Sequence, residues 1–380
     1  MATVSGRTQA ALYAEIDHEL SWSERDLPQH LRTKHVHRLH PYLGKFVPQL
    51  AETLLARSLT AGAVVYDPFA GSGTTLVEAN ALGIHAIGAD VSAFNCLLMR
   101  VKVAEHDLAT LRRELDLALA APPCDPPASE WLTRWYAPSA LRDLAGFCTV
   151  VPESAEAETL MVVASRAARS ARLAAHHDLD MPRAPVRGPY VCHKHRRTCR
   201  PVERADHFLR RYADDTLQRL VEFDEVRTPA AVTVLHADAR GADLPERIDG
   251  IVTSPPYPGL IDYHEQHRYA YELLGLADRR ELELGAAAAG TARSSIEAYC
   301  EGIAEALARA RGRLGPDATA AIVVNDRRGL YDDIARRAGY AVARRDVRHV
   351  NRRTGRRAGE YFEQILWLRP VRPRRGARAA

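Results

Sequence analysis

The sequence predicts an α/β protein: a doubly wound, mostly parallel sheet interrupted by a largely helical insertion. Three observations carry this. Two short apolar runs, Ala63-Val-Val-Tyr-Asp67 and Ile84-His-Ala-Ile-Gly-Ala-Asp90, each end in a carboxylate, as do strands buried on both faces whose carboxyl ends meet a ligand. A glycine-rich turn and a helical pattern lie between them, and strand–helix alternation is the mark of a parallel sheet. The alternation stops near residue 107 and resumes at Ala231, so two separated segments build one sheet domain around a domain-sized insertion.

Taken in order, residues 1–35 are a polar, mixed lead-in. His40-Pro41-Tyr42-Leu-Gly44-Lys45-Phe46-Val-Pro48-Gln49-Leu50 opens a helix that runs to about Leu59, before Gly62. The first strand spans 63–67. A helix over 74–82 stops at Gly83, the second strand spans 84–90, and a helix runs from Ser92 to about Ala104. The insertion, 107–228, opens with a helix over 107–120 and a Pro-rich link at 121–127. Helical patterns follow at 129–148 and 156–173, then a Pro/Gly stretch at 182–189, the basic segment His193–Arg211 and a helix to about Phe223. Strands resume at 231–235 and 250–253. A long helix at 295–313 ends before Gly315-Pro316, which is followed by a strand at 319–325 and a helix near 329–338. Two last strands, near 341–350 and 361–368, face each other across a short loop. The sheet domain is therefore 36–106 plus 229–370, and 371–380 form a basic tail expected to be disordered.

Composition sets limits. The 380 residues are 46% hydrophobic and 26% charged, as in a soluble globular protein. No apolar run reaches membrane-spanning length, the N-terminus is too polar for a signal peptide, and six irregularly spaced cysteines make no disulfide framework. These features predict a cytoplasmic protein with no membrane partner. Net charge is only +4, but the arginines cluster at 195–211, 344–357 and 369–378, and guanidinium forks match phosphate oxygens.

The turn Asp67-Pro-Phe69-Ala-Gly71-Ser-Gly73-Thr74-Thr75 leads sharply from a buried strand into a helix. Glycines let the backbone approach a ligand closely, and the amides at a helix start attract electronegative groups. The spacing is neither the three-glycine dinucleotide fingerprint nor a P-loop, which would carry a lysine. It suits a nucleotide-like cofactor. Asp90, at the end of the second strand, is placed for ribose hydroxyls, with a helix N-cap as its structural alternative. Asp238 is placed for an adenine amine, with an Asx-turn as its alternative.

The second motif, Thr253-Ser254-Pro255-Pro256-Tyr257, also follows a buried strand, so it sits at the same carboxyl edge. A ring amine is a poor nucleophile because its lone pair is delocalised. Two acceptors gripping its hydrogens, the Ser254 oxygen and the Pro255 carbonyl, would aim that lone pair. The consecutive prolines Pro255 and Pro256 fix the acceptors, and Tyr257 can stack on the base.

Together these motifs resemble the amino-methylating DNA methyltransferases, which modify the exocyclic amine of cytosine (N4) or adenine (N6). Asp67–Thr75 is similar to their cofactor motif and Ser254–Tyr257 to their catalytic motif. His40–Leu50, with Tyr42 and Lys45, is similar to the segment that contacts the methionine end of the cofactor. The resemblance implies a Rossmann-like methyltransferase sheet, S-adenosylmethionine as cofactor, DNA as partner, and a restriction or defence component as a further one. It implies that Asp67, Phe69, Gly71, Gly73 and Thr74 bind the cofactor together with Asp90 and Asp238. A serine before Pro-Pro-Tyr is typical of the cytosine-N4 enzymes and aspartate of the adenine-N6 enzymes, which points to cytosine. Here the cofactor motif precedes the catalytic motif, whereas many cytosine-N4 enzymes run the other way, so adenine-N6 chemistry stays open. An RNA amino-methyltransferase and a non-catalytic DNA-binding subunit are the remaining alternatives. Cys124 lies in a Pro-rich link rather than at a strand end, which excludes it as the nucleophile of a cytosine-ring methylase.

A base inside a duplex must be flipped out to reach such a site. The run Asp262-Tyr263-His264-Glu-Gln-His267-Arg268-Tyr269 either lines the pocket or packs into the core. DNA-contacting residues are expected in two basic loops: Lys194, Arg196 and Arg197 in the insertion, and Arg352, Arg353, Arg356 and Arg357 after a strand whose carboxyl end faces the site. The insertion is the expected target-recognition domain. Cys192, His195 and Cys199 have zinc-like spacing, but a closed zinc site takes four ligands. Cys124, Cys148 or His193 would have to complete it, so no metal is assigned.

Overall fold

The computed structural model describes residues 16–23, 25–44, 47–352 and 359–371. Lys45, Arg353, Arg356, Arg357 and the tail 372–380 lie outside them. Along the chain come α1 (Pro48–Ser58), β1 (Val64–Asp67), α2 (Thr74–Ala81), β2 (His85–Asp90) and α3 (Ala93–Val103). The insertion contributes α4 (Leu108–Ala120), α5 (Glu130–Trp135), α6 (Pro138–Cys148), α7 (Ala157–Ala171), β3 (Tyr190–Cys192), β4 (Arg197–Cys199) and α8 (Asp206–Asp224). The sheet resumes with β5 (Val232–His236) and β6 (Ile248–Thr253), followed by α9 (Tyr263–Gln266), α10 (Arg268–Leu274) and α11 (Arg293–Arg311). Last come β7 (Leu314–Val324), α12 (Tyr331–Arg337), β8 (Tyr340–Arg352) and β9 (Gly359–Pro370).

Seven strands form one sheet in the order β5-β2-β1-β6-β7-β9-β8. The first five are parallel, and β9 lies antiparallel between β7 and β8. The chain winds outward from β1 to β5 in one direction and from β6 to β8 in the other. The gap between the carboxyl ends of β1 and β6 is therefore the topological switch point, where such sheets bind ligands. Because β8 is antiparallel to β9, and β9 to β7, β8 runs parallel to β7 and ends at the same edge. Val347 shares Gln364 with Val324 at the end of β7, yet β8–β9 pairing continues to Arg352–Gly359, so this ribbon projects past the edge.

Successive strand residues point to opposite faces, and both faces are covered. Tyr66, Ile251 and Ile322 pack with Ile303, Leu307 and Ile334 of α11 and α12. Their neighbours Val65, Val252 and Val323 pack with Leu54, Leu76 and Met99 of α1, α2 and α3. The insertion is not a separate globule. Its helices α4, α6, α7 and α8 share one continuous cluster with Leu39, with Phe94 and Leu98 of α3, and with Tyr269 of α10.

Local chemistry sets the helix starts. Asp107 accepts from the amides of Ala109 and Thr110, Ser92 from Asn95 and Ser129 from Leu132. Each such cap is worth about 1 kcal/mol. Pro138 at a first helical position divides the expected 129–148 helix into α5 and α6. The short β3–β4 ribbon inside the basic segment was not expected from the sequence. It has only three residues per strand, and no periodicity shows in so short a run. The helix expected to open at His40 begins only at Pro48, and Tyr42–Gly44 form a turn instead.

Candidate active site

At the switch point lies a cavity of about 810 Å³, counting its open mouth. Tyr42, Phe69, Gly71, Thr74, Asp90, Asp238, Ser254 and Pro256 all line it. Both motifs therefore meet in one space, although the first ends at Thr75 and the second begins at Thr253.

Two glycines make the turn possible. Gly71 has φ +51, and a Cβ there would come within 3.0 Å of the Tyr42 hydroxyl. Gly73 has φ +78, caps α2, and would drive a Cβ to 2.8 Å from Met99 Cγ. Gly71 opens the cavity wall, whereas Gly73 lets α2 pack on α3 and does not itself line the cavity.

The two strand-tip aspartates differ in role. Asp90 accepts from the amides of Gly71 (2.9 Å, Oδ2) and Ser92 (2.8 Å, Oδ1), which aim its carboxylate along the cavity wall. The helix N-cap is Ser92, so the structural alternative for Asp90 does not hold. Asp67 is buried behind the wall. Its Oδ1 accepts from Thr253 Oγ1 (2.5 Å) and the Phe69 amide (3.1 Å), tying the tip of β1 to the tip of β6. Burial pushes both carboxyls up to about 6, against the hydrogen bonds that favour the ion. The sequence reading put Asp67 and Gly73 among the cofactor-binding residues; the structure places them behind that surface. Asp238 reaches the cavity, but Arg240 grips it: the guanidinium Nε lies 2.9 Å from Oδ2, and the Arg240 amide closes the Asx-turn at 2.9 Å from Oδ1.

Ser254 Oγ donates to the carbonyl of Val323 on β7 (3.1 Å). With its hydrogen engaged there, the oxygen offers lone pairs to the cavity it lines. The backbone after it is braced from afar. Tyr299 Oη donates to the Pro256 carbonyl (2.9 Å) and lies 2.7 Å from Tyr331 Oη. Tyr257 Oη donates to Glu363 Oε1 on β9 (3.4 Å), and Glu363 is paired with buried Arg348 at 2.8 Å. Pro255 and Tyr257 are not in the cavity wall.

The aromatic run divides between its two expected roles. Tyr263 lines the cavity, stacked on Tyr42 at 5.6 Å between ring centres. His264, His267 and Tyr269 are buried behind it, and burial lowers His267 to about 3, so it is neutral. Sequence reasoning missed Ser72, Asn95 and Glu283, which also face the cavity. Asn95 donates to the Tyr42 hydroxyl (3.1 Å) and stood out only as an amide early in an apolar helix. Glu283 accepts from the amides of Tyr263 (3.2 Å) and His264 (2.8 Å), and no local pattern marks it.

The basic segments also divide. Lys194, Arg196 and Arg197 are exposed on the β3–β4 turn, away from the cavity wall. Arg344, Arg345 and Arg348 pair with Asp346, Asp332 and Glu363 and belong to the β8–β9 scaffold. Arg352 ends β8, and the rest of that loop lies outside the described residues. Beside Cys192, His195 and Cys199 stands His176, from the loop after α7. Cys124, Cys148 and His193 do not join them, and His193 instead packs edge-on against His177 at 5.0 Å. No described helix is long and apolar enough to cross a membrane.

The cavity chemistry suits S-adenosylmethionine: a carboxylate held by two amides faces it, with a glycine-thinned wall and aromatic rings at one end. Comparison with known proteins agrees. Residues 13–99 match the profile of the N6/N4 family described as DNA methylase. A Type II methyltransferase of Methanocaldococcus jannaschii, M.MjaII, is 33% identical over 89% of this chain and 81% of its own length. The Type II methyltransferase M.MvaI of Kocuria varians is 32% identical over 21% of this chain and 18% of its own. Among solved structures, TrmN from Thermus thermophilus superposes over 90% of this chain and 53% of its own, with a TM-score of 0.38 and 13% identity. The likeness to M.MjaII covers most of both chains, and this chain belongs to the S-adenosylmethionine-dependent amino-methylating DNA methylases.

Proposed function

We propose that this enzyme methylates the exocyclic N4 amine of a cytosine flipped out of DNA. The observation that supports this most is Ser254. Its hydroxyl hydrogen is held by the Val323 carbonyl, which makes Oγ an acceptor at the cavity that also holds Asp90 and Gly71. An amine hydrogen donated to Oγ orients the amine and turns the nitrogen lone pair out of conjugation with the ring. The bound cofactor supplies an electrophilic methyl on a sulfonium. Held by Ser254, the amine nitrogen would face that methyl, and the proton it loses on transfer would pass to solvent water at the open mouth of the cavity. No covalent enzyme intermediate is needed, so rate comes from positioning.

The residues that would hold the cofactor are Asp90 for the ribose hydroxyls, Gly71 and Thr74 at the start of α2, and Tyr42 at the methionine end. Asp238 is assigned to the adenine side, shared with Arg240. Lys194, Arg196, Arg197 and the arginines at the β8–β9 tip are assigned to DNA phosphates, and the insertion to target reading. Phosphate contacts give affinity and salt dependence rather than sequence choice.

The test is direct. Genomic DNA is incubated with labelled S-adenosylmethionine and the protein, then digested to nucleosides for mass spectrometry. N4-methylcytosine is expected. N6-methyladenine alone would show that the cavity serves the other amine, and label in RNA but not in DNA would reject both.

A further inference from the structure

The insertion holds a feature that the methylation site does not use. From His176 to Arg204 the chain leaves α7, crosses the β3–β4 ribbon and enters α8, and the only buried residues on that path are Cys192 and Cys199. Val191, the middle residue of β3, is exposed. A ribbon of two three-residue strands without a core is not stable by itself. Small units that lack a core are held by disulfides or metals, and both cysteines here are free thiols.

We propose that His176, Cys192, His195 and Cys199 bind a structural zinc ion. One donor atom from each lies within 4.8 Å of every other. Cys192 Sγ is 3.7 Å from His176 Nδ1, and Cys199 Sγ is 3.5 Å from His195 Nδ1. Zinc–sulfur bonds of about 2.3 Å and zinc–nitrogen bonds of about 2.0 Å set a tetrahedral sulfur–nitrogen edge near 3.5 Å, so these two edges already have the right length. The set is two thiolates and two imidazoles, a donor combination typical of closed structural zinc sites. Four protein ligands leave no open position, so the ion is structural rather than catalytic.

The local backbone is shaped for this. Cys192 and His195 flank the turn with the C-x-x-H spacing of a metal knuckle, and Arg196 just beyond adopts φ +53, uncommon for a residue with a side chain. Cys199 returns on the paired strand, two residues from the register partner of Cys192. His176 comes from outside the ribbon, so the ion would pin the ribbon to the end of α7. The Tyr190 hydroxyl, 2.9 Å from His176 Nδ1, also accepts from the His176 amide at 3.1 Å and keeps that contact when the ring turns to a metal. Lys194, Arg196 and Arg197 ride on the loop so fixed.

Elemental analysis of the full chain, purified under reducing conditions without chelator, is expected to give one zinc per molecule. Cobalt(II) exchanged into the site should show tetrahedral ligand-field bands with thiolate charge transfer. Chelation should open the 176–204 segment to limited proteolysis while the sheet domain stays intact. Cys199→Ser and His176→Ala should lose the ion, whereas Cys148→Ser and His177→Ala should keep it. The wild-type cobalt spectrum decides the matter even if a variant fails to fold. Wild-type protein that stays metal-free after reconstitution with zinc sulfate would overturn the proposal. So would full zinc content in both Cys199→Ser and His176→Ala, or a Cys192–Cys199 disulfide in place of the ion.

Discussion

The two sides of the cavity are built by different means. On the cofactor side, backbone amides do most of the positioning: those of Gly71 and Ser92 hold Asp90, beside one side-chain contact, Asn95 on the Tyr42 hydroxyl. On the amine side, side chains do it, through Ser254 on Val323, Tyr299 on Pro256 with Tyr331 behind, and Tyr257 on Glu363. Amide-held geometry is local, because the donors lie within a few residues of the turn or on the next strand. Side-chain bracing draws on residues up to 106 positions away. Preorganisation on the cofactor side is thus a property of the turn, and on the amine side a property of the whole sheet.

The largest expected effect tests whether the sides are separable. Ser254→Ala removes the amine acceptor and leaves every amide of the cofactor side in place. Turnover should fall by about 10²–10³, as when a preorganised hydrogen-bond partner is removed from an active site. Cofactor affinity, by calorimetry, should stay near wild type. A comparable loss of cofactor affinity would show that the two sides act as one unit.

The same division explains what was legible in the sequence. The sheet, its order of strands and helices, and the cofactor turn could be read because buried parallel strands and glycine turns have local signatures. The meeting of Gly71 and Ser254 could be read because both end strands of one sheet. Glu283, Tyr299, Tyr331 and Glu363 could not, since each earns its place through tertiary contacts alone. The direction of the Asp67 carboxylate could not be read for a related reason. Its motif position is that of a ligand-binding residue, but its carboxylate turns inward to Thr253. His176 was missed because it stands 16 residues from Cys192, on the far side of a Pro/Gly stretch.

Asp90→Asn probes the cofactor side next. Loss of the ionic acceptor proposed for the ribose hydroxyls should weaken cofactor binding by about ten- to a hundredfold, since hydrogen bonds to charged groups are worth about 1.5–3 kcal/mol. Its pH dependence carries a definite sign. Burial raises the Asp90 carboxyl from 3.8 to about 6, so the free protein holds a proton there at pH 5. Ribose donors favour the ionised form, and affinity should rise with pH through about 6 and level off above it. Asp90→Asn should flatten this profile. An Asp67 variant should not, because Asp67 lies behind the cavity wall.

Asp67 gives a stability test of similar size. Its raised carboxyl favours the protonated folded state, so its contribution is fully present below the ordinary value of 3.8 and is lost as pH rises through about 6. Asp67→Ala leaves the Thr253 hydroxyl and the Phe69 amide without their acceptor, at a cost of about 1–3 kcal/mol each in a buried site. Asp67→Asn keeps an acceptor oxygen and removes the buried charge. It should be at least as stable as wild type at pH 8 in urea titrations, and its stability should vary less between pH 4 and 7. Equal destabilisation by both variants would mean that the charge itself, not the acceptor, joins β1 to β6.

The smallest effect is expected from Tyr331→Phe, and it bears most directly on how the amine side is held. Tyr331 Oη lies 2.7 Å from Tyr299 Oη, whose own hydrogen goes to the Pro256 carbonyl. Tyr331 touches neither the cavity nor the cofactor side. Removing its hydroxyl leaves one buried oxygen with fewer partners, a change of about 1 kcal/mol. If side-chain bracing fixes the Pro-Pro backbone, turnover should drop about fivefold with cofactor affinity unchanged, because a net loss near 1 kcal/mol falls on the reacting geometry alone. If the two prolines hold the loop unaided, turnover should match wild type and only melting temperature should fall. Tyr299→Phe, which also frees the Pro256 carbonyl, should then exceed Tyr331→Phe in the first case and equal it in the second.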